Sequence, residues 1–348
     1  MKKYSKEMIK GAKIILKDWI ELKEGENLLI VIDQEGIDEG ELLLQEAEKI
    51  GGIGKVEVMD SSNKQAGEVY DENEKAFDGY DVIIGAASYS LITVNATKYA
   101  VSRGSRFLSL PLNVNDDRSM LEYDFIRMDP KVSKMMASFI QDTIDKGKKI
   151  EIKSKSGTNL TVYKENRKTG LFNGNLKDGE GISSASFEIY VPIEETKTQG
   201  TLIVDGSLGY IGAPKENVKI EIKDGEIEYI QDNESGRKLK KYFKEFKDEE
   251  MCTTSEFGIG LNLLSQTVGN SYIEDESAYK TFHIGFGRNT ALGGTHDATG
   301  HFDLVGMYPD IYVDGKMIIK EGNILFEWKR NLNIQLPFTK SQKKAEHM

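Results

Sequence analysis

One cysteine, Cys252, is all the thiol chemistry available to this 348-residue chain. That excludes an internal disulfide framework and a cysteine-built zinc site, and it fits a reducing cytosol. No apolar run approaches 18 residues, so no membrane span is expected. The opening segment, MKKYSKEMIKGAKIILKDWI, carries the basic residues of a signal peptide, but Lys13, Lys17 and Asp18 interrupt any apolar stretch. Its apolar positions (Met8, Ile9, Ala12, Ile15, Leu16, Trp19) follow helical spacing instead. Basic charge is in deficit: 46 Lys and Arg against 57 Asp and Glu leave a net charge of −11. A nucleic-acid partner needs a basic face, so this balance argues against one. There is no phosphate-binding loop or dinucleotide fingerprint placed between a strand and a helix. No G-x-S-x-G elbow is present, and Cys252 has no nearby histidine to activate it, so nucleophilic catalysis is unsupported.

With 39% hydrophobic and 30% charged residues, the chain can build a packed core, and its length suggests two domains. A cytoplasmic globular protein is expected. In the first part, strand-like and helix-like stretches alternate. Asn27–Asp33 is an apolar run, Glu39–Ile50 is helical and stops at Gly51-Gly52, and Lys55–Met59 alternates like a strand. A helix over Ala66–Phe77, a strand over Asp81–Ala86, a helix over Ile92–Ser102, a strand over Arg106–Leu110 and a helix over Pro130–Lys148 follow. This pattern predicts a Rossmann-like α/β domain, residues 1–147, with helices on the faces of a parallel sheet. Residues 148–348 read differently, as short β-patterned pieces between Gly-, Asn- and Asp-rich turns, with Asp224-Gly225 and Asp314-Gly315 as hairpin signals and one charged helix at Arg237–Glu249. The expected fold class is therefore α/β, with a β-rich α+β C-terminal domain holding the metal site. Thr339–Met348 reads as a frayed polar tail.

The chain has only four histidines, and His283, His296 and His301 fall within 19 residues. His301 and Asp303 lie two apart in a strand-like HFDLV run, which places both on one face. Imidazole and carboxylate together suit zinc, manganese, cobalt or ferrous iron. Glu256 sits in the glycine-rich run SEFGIGLN, and Glu188 in SFEIYVP shares a strand face with Tyr190, opposite Phe187, Ile189 and Val191. A buried ionised carboxylate is costly unless it is paired or bound to a cation. Glu188, Glu256, His283, His301 and Asp303 have the oxygen and nitrogen composition of a two-cation site. The glycines around them, Gly285, Gly287, Gly293, Gly294 and Gly300, are expected to let the backbone turn tightly around it.

These segments, in this order, resemble the thermophilic metallo-aminopeptidase family of the aminopeptidase T and aminopeptidase S type. YDVIIGAASYSLITVNATKYAVSRGSRFLSLP (80–111) is similar to that family's strand–helix–strand passage, and FEIYVP, GTLIVDGS, EFGIGLN, DESAYKTFHIGFG and HFDLV resemble its later ones. The resemblance implies a metallo-aminopeptidase, a hydrolase acting on a peptide or small amide with two divalent ions (Zn, Co or Mn), and a homodimer. It implies ligation by Glu188, Glu256, His283, His301 and Asp303, with Glu256 bridging the ions. Glu256 or Glu276 would be the general base. One position departs: the family's tyrosine seven residues after the first ligand histidine is Thr290 here, beside Arg288 and Asn289. A ring-cleaving dihydroxypyridine dioxygenase resembles the same scaffold and uses two histidines and one carboxylate around non-haem iron. His283, His301 and Asp303 satisfy that triad, whereas Glu188 and Glu256 exceed its needs. A non-catalytic binding protein is the third reading.

Overall fold

A computed structural model describes residues 4–59, 67–178 and 181–325, so the tail at 339–348 lies outside the described residues. The first strand, Asn27–Asp33, shows why its neighbourhood must be a covered parallel sheet. Leu28, Ile30 and Ile32 enter one apolar core with Trp19 and Leu43, while Leu29 and Val31 enter a second with Tyr70, Phe77 and Phe107. Alternate side chains thus leave opposite faces, and both faces are buried, which requires an unbroken apolar run. The sheet order is Ile53–Met59, Asn27–Asp33, Val82–Gly85, Arg106–Ser109 and Ile182–Ser184, all parallel. The α/β reading holds, and the last of these strands joins the sheet from far along the chain.

Neighbouring connections run to opposite sides of Asn27–Asp33, which leaves a crevice beyond the carboxyl ends of that strand and Val82–Gly85. Asp33 closes its floor by accepting from the Ser88 amide at 2.6 Å, from the Ser88 hydroxyl and from the Gly36 amide at 3.3 Å. The segment from Ala87 to Val94 that follows is thereby fixed as one wall of a cavity.

Among the described residues, two antiparallel sheets make the rest. One has eight strands, with Lys149–Lys153 and Asn159–Tyr163 near its centre. The other, which we term the ligand sheet, runs His301–Met307, Thr281–Gly287, Thr254–Gly260, Glu188–Pro192 and Gly170–Phe172. The central three of these are buried along their whole length apart from Tyr190. The underside of the sheet packs Phe257, Ile259, Phe282, Ile284 and, from the edge strand, Phe302 into the main core. No described helix is long and apolar enough to cross a membrane.

Candidate metal centre

Strand register brings the predicted residues together. Glu188 stands opposite Gly260, His283 opposite Gly258, His301 opposite Gly287, and Gly285 faces Glu256 on one side and Asp303 on the other. Glycine therefore lies across the ladder from every one of the five. A Cβ at Gly258 would run into the His283 imidazole. One at Gly285 would stand 2.7 Å from Glu256 Cβ and 2.8 Å from both Asp303 Oδ1 and His301 Cε1. Gly258 and Gly285 sit in extended strands and clear space without bending the chain, so the expectation of tight turning is corrected for Gly285. The turn role belongs to Gly287 and Gly293, with φ of +90° and +98°.

The side chains form two overlapping groups whose donor atoms converge: Glu188, Glu256 and His283, and Glu256, His301 and Asp303. Glu256 belongs to both. His283 Nε2 is 2.7 Å from Glu188 Oε2 and 3.9 Å from Glu256 Oε1, and His301 Nε2 is 3.0 Å from Glu256 Oε2 and 3.3 Å from Asp303 Oδ1. The two imidazoles fall in different groups, so His283, His301 and Asp303 are not one closed triad. Glu276, on helix Tyr272–Ser277, is buried beside them and lines the same cavity. His296 is elsewhere, with Nε2 at 2.9 Å from the Glu250 carbonyl. Thr290 accepts from Lys98 Nζ at 2.9 Å and is not among the cavity-lining residues.

Each carboxylate of the outer pair is held from behind by a hydroxyl. Ser186 Oγ donates to Glu188 Oε1 at 2.6 Å and the Tyr272 phenol donates to Asp303 Oδ2. The opposite oxygens, Glu188 Oε2 and Asp303 Oδ1, receive no hydrogen bond, and neither does Glu276 Oε2. His301 is oriented too, its Nδ1 lying 2.9 Å from the Arg288 carbonyl. A carbonyl only accepts, so Nδ1 carries a proton, and Nε2 is the nitrogen turned toward the carboxylates, where a cation would take it. His283 differs, because its buried Nδ1 has no partner. Sequence reading missed Ser186, Tyr272 and the Arg288 carbonyl. Tyr272 lies 31 positions from the residue it holds, and no local pattern marks such a pair.

Electrostatics at the centre all ask for positive charge. Burial pushes the Glu188 carboxyl up, against the pull of His283, and it pushes Glu276 far above the usual range, with Glu188 and Asp303 adding repulsion. Burial disfavours charge on both imidazoles, but Glu188 and Glu256 around His283, and Asp303 and Glu256 around His301, raise both well above the usual value. Asp303 is held low, because His301 and the Tyr272 phenol outweigh its burial. Without a cation, protons fill that role.

The cavity above the cluster leaves about 1050 Å³ of unfilled space, its open mouth included. Tyr89, Tyr210, Tyr242, Tyr272 and Phe246 form much of its wall. Tyr210 stacks on Tyr272 with centroids 4.3 Å apart and planes 14° apart, and Tyr89 meets Tyr210 edge-on at 5.3 Å. At the rim, Arg288 pairs with Asp71 at 2.8 Å, joining the two sides of the mouth.

A parallel α/β sheet and an antiparallel sheet that brings carboxylates and imidazoles together beneath an aromatic-walled cavity define a two-part α/β scaffold with a candidate metal-binding site. The chain belongs to the NicX family, described as 2,5-dihydroxypyridine 5,6-dioxygenase, whose profile matches residues 61–326. A curated relative, the 2,5-dihydroxypyridine 5,6-dioxygenase of Pseudomonas putida, is 28% identical over 144 residues, 38% of this chain. That alignment spans 41% of the relative's own length. Among solved structures, the 2,5-dihydroxypyridine dioxygenase of Pseudomonas putida KT2440 superposes with a TM-score of 0.75 at 18% identity, over 91% of this chain and 96% of that one. Wild-type AmpT from Thermus thermophilus superposes with a TM-score of 0.60 at 14% identity, over 92% and 99%. Both likenesses show the fold. Sequence kinship lies with the dioxygenase family, which overturns the hydrolase assignment and its peptide substrate. The aminopeptidase resemblance reflects a shared scaffold.

Proposed function

We propose that this protein is a metal-dependent, ring-cleaving dioxygenase acting on a dihydroxylated, nitrogen-containing aromatic ring of the 2,5-dihydroxypyridine type. One observation carries the reading: Glu256, His301 and Asp303 present converging donor atoms at the base of an aromatic-walled cavity, and the latter two are braced from behind. The donor set fits a divalent transition metal, since imidazole and carboxylate suit iron, manganese, cobalt and zinc alike. The buried Asp303 oxygen without a hydrogen bond is the kind of atom that a cation satisfies. Ferrous iron held by these three would supply the one-electron chemistry with dioxygen that side chains lack.

The remaining roles belong to this chain's own groups. The aromatic wall of Tyr89, Tyr210 and Tyr242 receives a planar ring and excludes water around it. Glu276, its carboxyl pushed up by burial and by the neighbouring Glu188 and Asp303, lines the cavity and exchanges a proton with a ring hydroxyl as general acid or base. His283 Nε2 and Glu188 Oε2, 2.7 Å apart, flank Glu256 on the side away from His301. The same two residues with Glu256 are the place for a second cation. We favour a single ion, because nothing braces the far nitrogen of His283.

Anaerobically purified protein reconstituted with ferrous iron is expected to bind one iron per chain. With 2,5-dihydroxypyridine it is expected to consume oxygen and ring in equal amounts, and His301→Ala and Asp303→Ala should abolish both. Stoichiometric iron binding with no oxygen uptake on any dihydroxypyridine would overturn the reading.

A further inference from the structure

We propose that Tyr272 is a positioning residue of the metal centre: its phenol fixes which oxygen of Asp303 is presented to the cation, and so governs how tightly the cation is held. The inference rests on the reading of Glu256, His301 and Asp303 as ligands. A buried carboxylate free to rotate offers a cation either oxygen, or both. Here Oδ2 is occupied by the Tyr272 hydroxyl, while Oδ1 receives no hydrogen bond and faces His301 Nε2 at 3.3 Å. The choice of oxygen is made before any ion arrives.

The phenol itself has little freedom. Tyr272 opens the short helix Tyr272–Ser277, whose start is set by Ser271 Oγ accepting from the Glu274 amide at 3.3 Å. Its ring is stacked against Tyr210, which Tyr89 meets edge-on. A column of three tyrosines therefore runs from the wall formed by the parallel sheet's crevice to the carboxylate of Asp303. Rigid outer partners of this kind typically change metal affinity by about 10- to 100-fold when removed. The stack keeps its geometry in a phenylalanine variant, so the hydroxyl can be tested apart from the ring.

Cobalt(II) titration of the full chain, followed by visible absorption and by competition with a chelator, tests this without turnover. Tyr272→Phe is expected to bind cobalt about 10- to 100-fold more weakly than the parent, with a shifted absorption band. Tyr123→Phe removes an equivalent phenol–carboxylate bond, to Asp116 at 2.8 Å, away from the centre, and should leave both readouts unchanged. Should Tyr272→Phe fail to fold, Tyr272→Gln, which keeps a donor, is expected to bind cobalt more tightly than Tyr272→Leu. Parental affinity and spectrum in Tyr272→Phe, or equal affinity in the Gln and Leu variants, would overturn the positioning role alone. A parent chain that takes up no cobalt would overturn the metal reading beneath it.

Discussion

Gly285→Ala is the sharpest test of how the centre is built. The added methyl would stand 2.7 Å from Glu256 Cβ and 2.8 Å from Asp303 Oδ1 and His301 Cε1. Each approach is roughly 0.7 Å inside the separation at which carbon contacts become favourable. Glu256 Cβ is anchored to backbone on a fully buried strand, so the strain cannot be relieved at a flexible chain end. Overpacking of this kind costs about 1–3 kcal/mol of stability. The larger effect falls on the ligands, since all three atoms pushed belong to one group of donors. We expect metal affinity to fall by at least about 10-fold, or about 1.4 kcal/mol. Calorimetric metal titration with a parallel thermal melt would separate the two effects. Gly79→Ala is the control: φ there is +86° with open space around the new methyl, so it should lose roughly 1 kcal/mol of stability through backbone strain and keep its metal affinity. A Gly285→Ala protein that is destabilised yet binds metal like the parent would refute the claim that glycine opposite the ligands holds the site open.

Two further outcomes follow from charge. Because Asp303 and Glu256, against the effect of burial, hold the His301 proton well above the usual imidazole range, a cation taken by His301 must displace it. Affinity should therefore rise with pH across the neutral range, and binding in weak buffer should release protons; affinity independent of pH would contradict this. Away from the centre, Glu195 is buried, which alone would raise its carboxyl, but Arg167, the Thr295 amide and Asn289 together hold it at about 2 against an ordinary 4.5. Its folded-state value is depressed, so its contribution, on the order of 3 kcal/mol, is present above pH 4.5 and lost as pH falls toward 2. Acid unfolding of Glu195→Gln should show correspondingly less pH dependence in that window, and a curve parallel to the parent's would show the interaction to be idle.

Much of the parallel half was legible because its physics is local. Asn27–Asp33 is buried on both faces, and an uninterrupted apolar run is the only sequence that permits it. Helix Ile37–Glu48 ends near Gly51 at φ +95°, as its glycines suggested. The helix expected from Ile92 begins instead at Asn95, because its first amide is taken by Asp71 from another segment, 2.8 Å away. The stretch expected to be helical to Phe77 is helical only over Glu68–Glu72, and Phe77 goes to the core from a turn. Three-residue Ile182–Ser184 is too short to carry a periodic signal, and its place is set by its partner strand. At the site, the donors were legible as residue types out of place: carboxylates in glycine-rich or apolar runs, and histidines in a chain poor in them. What braces them was not, because Tyr272 to Asp303 and Arg288 to His301 are contacts made by the fold.

The room each donor occupies is carved from the opposing backbone and takes nothing from the apolar packing beneath the sheet. Acids and imidazoles on that surface can accordingly be exchanged for one another without disturbing Phe257, Ile284 or Phe302 on its other side. Chemistry and stability are written on separate faces of the same strands, which lets such a scaffold change its reaction while keeping its shape.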